Sequence, residues 1–209
     1  MSVSDCASLA GNATKITARG FGWTHAGRSE AALSDIDVVI EPGERVLLCG
    51  DSGSGKSTLL AAMAGVLGSD EEGTRTGELL LEDSSGLVEE PGHTIPVGLV
   101  LQDPDSQVIS ARVGDDIAFG CENLAYPREE IWRRVAAAKE LVGPFVDLDF
   151  PTERLSGGQK QRLALAGVIA MGAGVVLLDE PTANLDPAGA RDVVRAVARL
   201  VEETGATLV

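Results

Sequence analysis

Apolar and polar positions alternate in short runs along the first half of the chain, a pattern typical of β-strands, and one longer run has helical spacing. The helical run covers residues 56–67 and follows a glycine-rich turn. An acidic loop over residues 83–91 separates the last two β-rich runs. The predicted strands are residues 15–21, 35–41, 45–49, 77–82 and 97–101, and the first two form an N-terminal β layer.

Three helices and one strand are predicted in the second half of the chain. The residues that mark them are Pro127 and Gly143-Pro144 for the first helix, Ser156 for the second, Val175–Leu178 for the strand, and Asp186-Pro187 for the third helix. Strands that alternate with helices predict an α/β fold whose mostly parallel sheet is covered on both faces.

The composition indicates a compact, acidic protein. The 209 residues include 17 basic and 32 acidic side chains, a net charge of −15, and 44% of them are hydrophobic. This content is too apolar for a disordered chain, and one compact domain is expected at this length. The acid excess argues against a nucleic-acid binder, whose affinity comes largely from basic side chains. Any phosphate site must therefore be built locally.

No segment predicts a membrane span or a secreted protein. The longest stretch without a charged or large polar residue, 163–178, is shorter than the roughly 20 residues of a membrane helix and predicts two buried elements. The N-terminal residues lack the pattern of a secretory signal. Cys6, Cys49 and Cys121 have no CxxC spacing, so we expect reduced thiols without a specific role.

The first motif that carries chemistry is Gly50-Asp51-Ser52-Gly53-Ser54-Gly55-Lys56-Ser57, which matches GxxxxGK[ST] between a predicted strand and a predicted helix. Its glycines let backbone N–H groups turn inward around phosphate oxygens. The helix start adds its dipole, Lys56 adds a mobile positive charge, and Ser57 offers a hydroxyl to Mg²⁺. The motif predicts a site for phosphates and Mg²⁺, with a flexible Gly-Ser loop as the alternative.

Two adjacent carboxylates, Asp179 and Glu180, follow the apolar strand Val175–Leu178. Strands of open α/β sheets deliver residues at their carboxyl ends to the crevice where ligands bind. Because side chains alternate along a strand, the two carboxylates point in different directions and can hold different roles. We expect Asp179 to hold Mg²⁺ through water and Glu180 to polarise the attacking water. The alternative is that both only solvate the strand end.

The third motif, Leu155-Ser156-Gly157-Gly158-Gln159, predicts a helix start. Ser156 can cap the helix and Gln159 can reach back to it, forming a capping box. A cap alone does not need two adjacent glycines, which weaken a first helical turn. We expect the close approach of another molecule to explain Gly157 and Gly158.

These motifs resemble those of the ATP-binding subunits of ABC transporters. Leu155-Ser156-Gly157-Gly158-Gln159 resembles the family's signature, and Gln102 resembles its Q-loop glutamine. Ala183-Asn184-Leu185-Asp186 is similar to the D-loop, although Asn184 replaces the usual serine or alanine. Trp23 lies where the family places an aromatic residue that stacks on adenine, with a core or surface indole as the alternative.

The resemblance implies a site for ATP and Mg²⁺ and a division of roles among its residues. The nucleotide-binding residues are Trp23, Gly50, Asp51, Ser52, Gly53, Ser54, Gly55, Lys56, Ser57, Thr58, Ser156, Gly157, Gly158 and Gln159. The metal ligands are Ser57, Gln102 and Asp179, and the catalytic residues are Lys56, Gln102 and Glu180.

The family's fold is a P-loop NTPase core with a mostly parallel sheet, an N-terminal antiparallel β layer and an inserted α-helical subdomain. Carried over, residues 1–209 are a single ATP-binding domain. Residues 1–102 hold the β layer and the phosphate-loop core, and residues 103–155 hold the helical subdomain. Residues 156–209 hold the signature helix, the strand before Asp179 and the D-loop.

Two further segments narrow the resemblance to the energy-coupling factor and cobalt class of importers, which take up vitamins or transition metals. They are residues 102–107, QDPDSQ, and residues 115–124, DDIAFGCENL. The implied partners are a second ABC ATPase subunit, a transmembrane scaffold protein and a substrate-binding membrane component. The implied location is the cytoplasmic side of the cell membrane, as a peripheral protein.

One family feature has no match. The family places a switch histidine just after the strand that follows the D-loop helix, and residues 206–209 resemble the beginning of that strand. The only histidines are His25 and His93, far upstream. The chain therefore resembles a C-terminally truncated form, and we expect it to bind Mg-ATP but to hydrolyse it slowly.

Two other functions remain open at this point. A soluble ABC-type ATPase module, which switches its association with partners and transports nothing, shares the signature and the phosphate loop. The segments at residues 102–107 and 115–124 favour the importer. A simple P-loop kinase leaves the signature-like motif unexplained.

Overall fold

The computed structural model describes residues 13–67, 73–143 and 146–209. Residues 1–12, which include Cys6 and most of the segment expected to lack a secretory signal, and Pro144 lie outside the described residues. The chain divides into two compact units. One, called the β unit below, comprises the described residues from 13 to 99 together with residues 174–179 and 206–209. The other, called the helical unit, comprises residues 100–173 and 180–205.

A four-stranded antiparallel sheet forms one layer of the β unit. Its strands are β1 (Lys15–His25), β2 (Leu33–Ile40), β3 (Gly73–Glu82) and β4 (Val88–Glu89), in the order β2-β1-β3-β4. Ile16 pairs with Ile40 on one side and with Leu81 on the other, and all three are buried. The predicted N-terminal β layer is confirmed, and its strands are longer than the hydrophobic pattern indicated.

A second sheet has three short strands, β5 (Val97–Val100), β6 (Val175–Leu178) and β7 (Thr207–Leu208), in the order β5-β6-β7. β6 and β7 run parallel. Leu178 donates its N–H to the carbonyl oxygen of Val209 at 2.9 Å, which fixes the end of β6 just before the two carboxylates.

The strand predicted at residues 45–49 is wrong. Arg45 makes an isolated parallel bridge with Leu208, and the Val46 N–H donates to the Leu208 carbonyl at 2.8 Å. A strand needs a ladder of consecutive partners, and β7 offers two residues. Leu47 accordingly lies 85% exposed beside this single attachment.

Helix α1 (Lys56–Met63) is shorter than the predicted run to residue 67. Its buried residues Leu59, Leu60 and Met63 join the core of the β unit. The same core contains Ile16, Phe21, Leu81 and Leu177, so it connects the antiparallel sheet to β6. Packing on this core holds the start of α1 next to the loop at residues 50–55.

The helical unit contains α2 (Val113–Asn123), α3 (Arg128–Leu141), α4 (Gly157–Met171) and α5 (Pro187–Thr204). α4 lies at its centre and packs against the other three helices. The pattern missed α2, although Val113, Ile117 and Cys121 form its buried face at helical spacing. Polar and glycine residues between these positions obscure the period. No helix among the described residues has both the length and the apolar character to cross a bilayer.

Candidate functional site

The loop at residues 50–55 is exposed on the β unit and leads directly into α1. Gly53 and Gly55 have φ angles of +80° and +91°, the left-handed conformation that favours glycine. Gly55 is the N-cap of α1, and because glycine has no side chain, it makes no capping hydrogen bond to the first turn. The first N–H groups of α1 therefore keep their capacity to bind an anion, and the first turn carries no acidic residue to oppose it.

Gly55 is required by space as well as by backbone angle. A Cβ atom at this position would lie 2.6 Å from the carbonyl oxygen of Ala32 and 2.8 Å from a methyl carbon of Leu33. Both neighbours belong to the segment that enters β2. The loop is thus pressed against the antiparallel sheet at one point, while Gly50, Asp51, Ser52, Gly53 and Ser54 remain exposed.

The Lys56 ammonium closes the loop on itself. Nζ donates to the carbonyl oxygens of Gly50 at 2.8 Å and Asp51 at 2.9 Å. The Ser54 N–H donates to the Asp51 carbonyl at 3.2 Å, which forms a turn within the loop. An ammonium has three N–H donors, and these two bonds aim the positive charge across the loop rather than into solvent.

Ser57, Thr58 and Asp179 share the β unit with the loop. Ser57 is exposed at the second position of α1, Thr58 is half-buried, and half-buried Asp179 follows β6 directly. The described residues contain no cluster of three or more His, Cys, Asp or Glu side chains suited to hold a metal alone. A serine hydroxyl with one carboxylate fits Mg²⁺, which keeps several waters and takes further oxygens from phosphates.

Glu180 belongs to the helical unit and is exposed. Its φ angle is +46°, a left-handed conformation in which a residue with a Cβ atom is strained by about 1–2 kcal/mol. Its carbonyl oxygen accepts a hydrogen bond from the Ala183 N–H at 3.0 Å, which fixes a turn immediately after Asp179. The turn redirects the chain, so Asp179 and Glu180 do not continue the alternation of β6.

The capping box predicted at Ser156 and Gln159 is confirmed. The Ser156 N–H donates to Gln159 Oε1 at 2.8 Å, and the Gln159 N–H donates to Ser156 Oγ at 3.4 Å. At each of the next two positions, a Cβ atom would crowd a neighbouring residue. A Cβ on Gly158 would lie 3.2 Å from the Cα of Gly189, and one on Gly157 would lie 3.3 Å from Leu185.

The expected approach of another molecule to Gly157 and Gly158 stays a prediction, and the structure adds a contact within the chain. The close approach that Gly158 permits is to α5 of the same chain, through Gly189. Gly158 lies in the first turn of α4, and Gly189 lies in the first turn of α5, three residues after the N-cap Asp186. The contact therefore brings the starts of the two helices together. The Gly189 and Ala188 N–H groups donate to Asp186 Oδ1 at 2.9 and 2.8 Å, and these bonds hold the pKa of Asp186 below its usual value.

Comparison with known proteins identifies the family. The model of the ABC transporter family matches residues 33–183, a span that includes the phosphate loop, the signature-like motif and both carboxylates. The chain belongs to the ABC transporter family.

Two relatives of this ABC protein are named as ATP-binding proteins of energy-coupling factor transporters. It is 41% identical over 182 residues to the energy-coupling factor transporter ATP-binding protein EcfA1 of Caldanaerobacter subterraneus subsp. tengcongensis, covering 87% of this chain and 65% of that protein. It is 38% identical over 203 residues to the protein of the same name from Lacticaseibacillus paracasei, covering 92% and 68%. The chain thus spans about two thirds of these relatives.

A solved structure confirms the ABC ATPase fold. The structure of cbiO1 from Clostridium perfringens, described as part of the ABC transporter complex cbiONQ, superposes with a TM-score of 0.75 at 33% identity. The match covers 92% of this chain and 76% of that chain. The predicted combination of a phosphate-loop core, an antiparallel β layer and a helical subdomain is confirmed.

The family's motifs divide between the two units. The phosphate loop, Ser57, Thr58 and Asp179 lie in the β unit, whereas Gln102, Glu180 and the signature motif lie in the helical unit. Gln102 is exposed, and the residues on both sides of it are held by the side chain of Gln107. Sequence reasoning singled out the segment that contains Gln107 but assigned that side chain no role.

Trp23 does not occupy the open position expected of a stacking platform. Its side chain is part of the β-unit core, and the residue is 2% exposed. The indole N–H donates to His25 Nδ1 at 3.2 Å. A base can stack only on a ring face that solvent can reach, and burial of this degree leaves none. The structure thus favours the core indole over adenine stacking.

The strain at Glu180 predicts an unusual order of stability between two variants. Glu180→Gly relieves the left-handed strain and Glu180→Ala retains it, so we expect the glycine variant to melt higher by about 2–4 °C, corresponding to about 1 kcal/mol. Thermal unfolding followed by circular dichroism measures the difference. In the matched pair Glu202→Gly and Glu202→Ala, within α5, the alanine variant should melt higher. If the glycine and alanine variants ranked in the same order of melting temperature at both positions, the strain at Glu180 would be contradicted.

Proposed function

We propose that this chain is the ATP-binding and hydrolysing subunit of a membrane importer of the energy-coupling factor or cobalt type, and that its 209 residues form one ATP-binding domain. The observation that carries the proposal is the loop at residues 50–55, in which Gly55 is the left-handed N-cap of α1, together with Lys56, which donates to two carbonyl oxygens of the loop. This geometry offers backbone N–H groups and one ammonium to a chain of phosphates.

Binding of ATP follows from the chemistry of that loop. The N–H groups at the start of α1 and the Lys56 ammonium favour the phosphate oxygens, while the left-handed glycines let the backbone approach them closely. Lys56 then exchanges its bonds to Gly50 and Asp51 for bonds to phosphate, which are stronger because both partners are charged. The core packing of α1 holds these donors in place before the nucleotide arrives.

Ser57 and Asp179 are the proposed metal ligands in the β unit, with Gln102 as the ligand expected from the helical unit. Mg²⁺ supplies neutralisation of charge on the phosphates when it is bound. The hydroxyl of Ser57 is presented by the same helix turn that presents the phosphate-binding N–H groups. Asp179 is held at the end of β6 by the bond from Leu178 to Val209.

Glu180 is the proposed residue that polarises the attacking water. It is an exposed carboxylate in a strained conformation, and backbone strain of this kind concentrates at functional sites. Phosphoryl transfer depends mainly on positioning and charge neutralisation, so the turn fixed by Ala183 contributes by orienting the carboxylate.

The proposed partners are a second ATPase subunit, a transmembrane scaffold protein and a substrate-binding membrane component. The names of the relatives support this assignment, because they are energy-coupling factor transporter subunits and a component of a cbiONQ complex. The signature motif supports the second subunit by resemblance.

Lys56→Ala should abolish measurable nucleotide binding. The variant removes the only side-chain charge in the loop that favours phosphate, and we expect the Kd for Mg-ATP to rise at least about 100-fold, near 2.7 kcal/mol. Isothermal titration calorimetry measures the Kd. Lys15→Ala removes the same charge from an exposed ion pair with Glu41 in the same unit and should leave the Kd within about twofold. Equal affinities of the Lys56 variant and the parent chain would exclude this loop as the ATP site.

Glu180→Gln should separate binding from hydrolysis. The amide keeps the size of the side chain but cannot polarise water as a carboxylate does, so we expect kcat to fall by about 100-fold or more while the Kd for Mg-ATP stays within about threefold. Phosphate release measures kcat, and calorimetry measures the Kd. Glu202→Gln, at an exposed position of α5, serves as the control. Undiminished hydrolysis by the Glu180 variant would remove this residue from catalysis.

Association with a membrane scaffold distinguishes an importer subunit from a soluble ATPase module. We expect the tagged chain, purified in mild detergent from membranes of its own cells, to retain a protein with several membrane-spanning helices and a second ATPase subunit. Mass spectrometry of the purified complex identifies both. Recovery of the chain only from the soluble fraction, with neither protein attached, would contradict the importer and favour the soluble module.

A further inference from the structure

One side chain binds the backbone on both sides of Gln102. Gln107 lies in the short 3-10 turn Asp105–Gln107, and its Oε1 accepts a hydrogen bond from the Leu101 N–H at 2.8 Å. Its Nε2 donates to the carbonyl oxygens of Leu101 at 3.1 Å and of Asp103 at 3.2 Å. The amide thus replaces the strand partner that the backbone lacks once β5 has ended at Val100.

A second glutamine reaches the same place from α4. Gln161 Nε2 donates to the Leu101 carbonyl at 2.9 Å, and its Oε1 accepts from Gln107 Nε2 at 3.3 Å. Gln161 is 1% exposed, so its amide sits in a low-dielectric setting where an unmade hydrogen bond is costly. Two side chains far apart in sequence therefore converge on the single peptide before Gln102.

We propose that Gln107 and Gln161 are positioning residues that tie the backbone at Gln102 to the helix that carries the signature motif. We call this pair the glutamine clamp. The inference rests on the proposed function, in which Gln102 contacts the metal and Ser156–Gln159 contacts nucleotide. All the clamp residues belong to the helical unit.

The clamp makes Gln102 and the start of α4 move as one body. Gln161 lies two residues beyond the capping box, and the helical hydrogen bonds of α4 start at Ser156, whose carbonyl oxygen accepts from the Lys160 N–H at 2.9 Å. A displacement of the Leu101 carbonyl must break its bonds to both glutamines or carry α4 with it. A nucleotide or metal contact made by Gln102 is thereby transmitted to the signature motif.

A second, weaker link runs beside the clamp on the surface. Lys160, the neighbour of Gln161, forms an ion pair with Asp105; the lysine side chain is 15% exposed and the carboxylate side chain is 72% exposed. Because the carboxylate faces water, solvent and salt screen the pair. The link is therefore a matched control: it joins the same two segments but lacks the buried amide contacts.

The first test measures ATP hydrolysis by the Gln107→Glu variant of this chain. The carboxylate still accepts from the Leu101 N–H, but it cannot donate and instead places negative charge against two carbonyl oxygens and Gln161 Oε1. We expect kcat to fall by about 10-fold while the KM for ATP stays within about twofold, since the phosphate loop is untouched. Asp105→Asn should keep kcat within about twofold.

A double-variant comparison shows whether the two glutamines act together. Gln161→Met keeps the length of the side chain and removes both amide contacts. If both residues act through the Leu101 peptide, the double variant Gln107→Glu/Gln161→Met should lose no more than about threefold in kcat beyond the worse single variant. Losses that multiply would indicate two independent defects and would overturn the clamp.

Hydrogen exchange tests the clamp without relying on turnover. In Gln107→Ala the Leu101 N–H loses its acceptor, and we expect its exchange, followed by NMR, to quicken at least about 10-fold. The Lys160 N–H should quicken as well, because release of Gln161 loosens the start of α4. Asp105→Asn should leave both rates within about threefold.

The outcomes separate failure of the clamp from failure of the proposed function. Unchanged Leu101 exchange in folded Gln107→Ala, or undiminished kcat in folded Gln107→Glu, would overturn the clamp while leaving ATP binding in place. A parent chain that binds no Mg-ATP would instead overturn the proposed function. Should Gln161→Met prove unstable, the Gln107 variants decide the question alone, since Gln107 lies at the surface end of the pair.

Discussion

The proposed phosphate site on this chain depends on backbone N–H groups because the side chains work against it. With a net charge of −15, the surface repels a nucleotide at long range, and Lys56 is the single basic side chain within the loop. The partial positive charge at the start of α1 comes from its aligned peptide groups, so it does not depend on the number of acidic side chains. The site therefore requires rigid placement of α1, which its buried residues Leu59, Leu60 and Met63 provide.

Features that depend on neighbouring residues could be predicted from the sequence. Ser156 and Asp186 cap their helices as expected, because a cap involves side chain and backbone groups within three residues of each other. The glycine-rich turn before α1 was predictable for the same reason. Its chemistry is contained in eight consecutive residues, and only the crowding of Gly55 by Ala32 adds a long-range contribution.

Features that depend on distant partners could not be predicted. Residues 45–49 have the composition of a strand, but strand formation depends on the two residues of β7, far along the chain. The crowding at Gly158 comes from Gly189 in another helix, and the burial of Trp23 depends on the core around it. In each case the residue type was noted correctly, and the distant partner was invisible in the sequence.

In the helical unit, uncharged contacts connect the candidate catalytic elements to one another. Gly158 and Gly189 bring α4 against α5, whose cap, Asp186, follows the strained turn at Glu180. The glutamine clamp begins three residues further along α4, at Gln161, and reaches toward Gln102. Both connections are short and uncharged, so salt does not screen them and small displacements break them. A helix held by two such contacts responds to movement at either one, which is the mechanical property that the proposed function requires of α4.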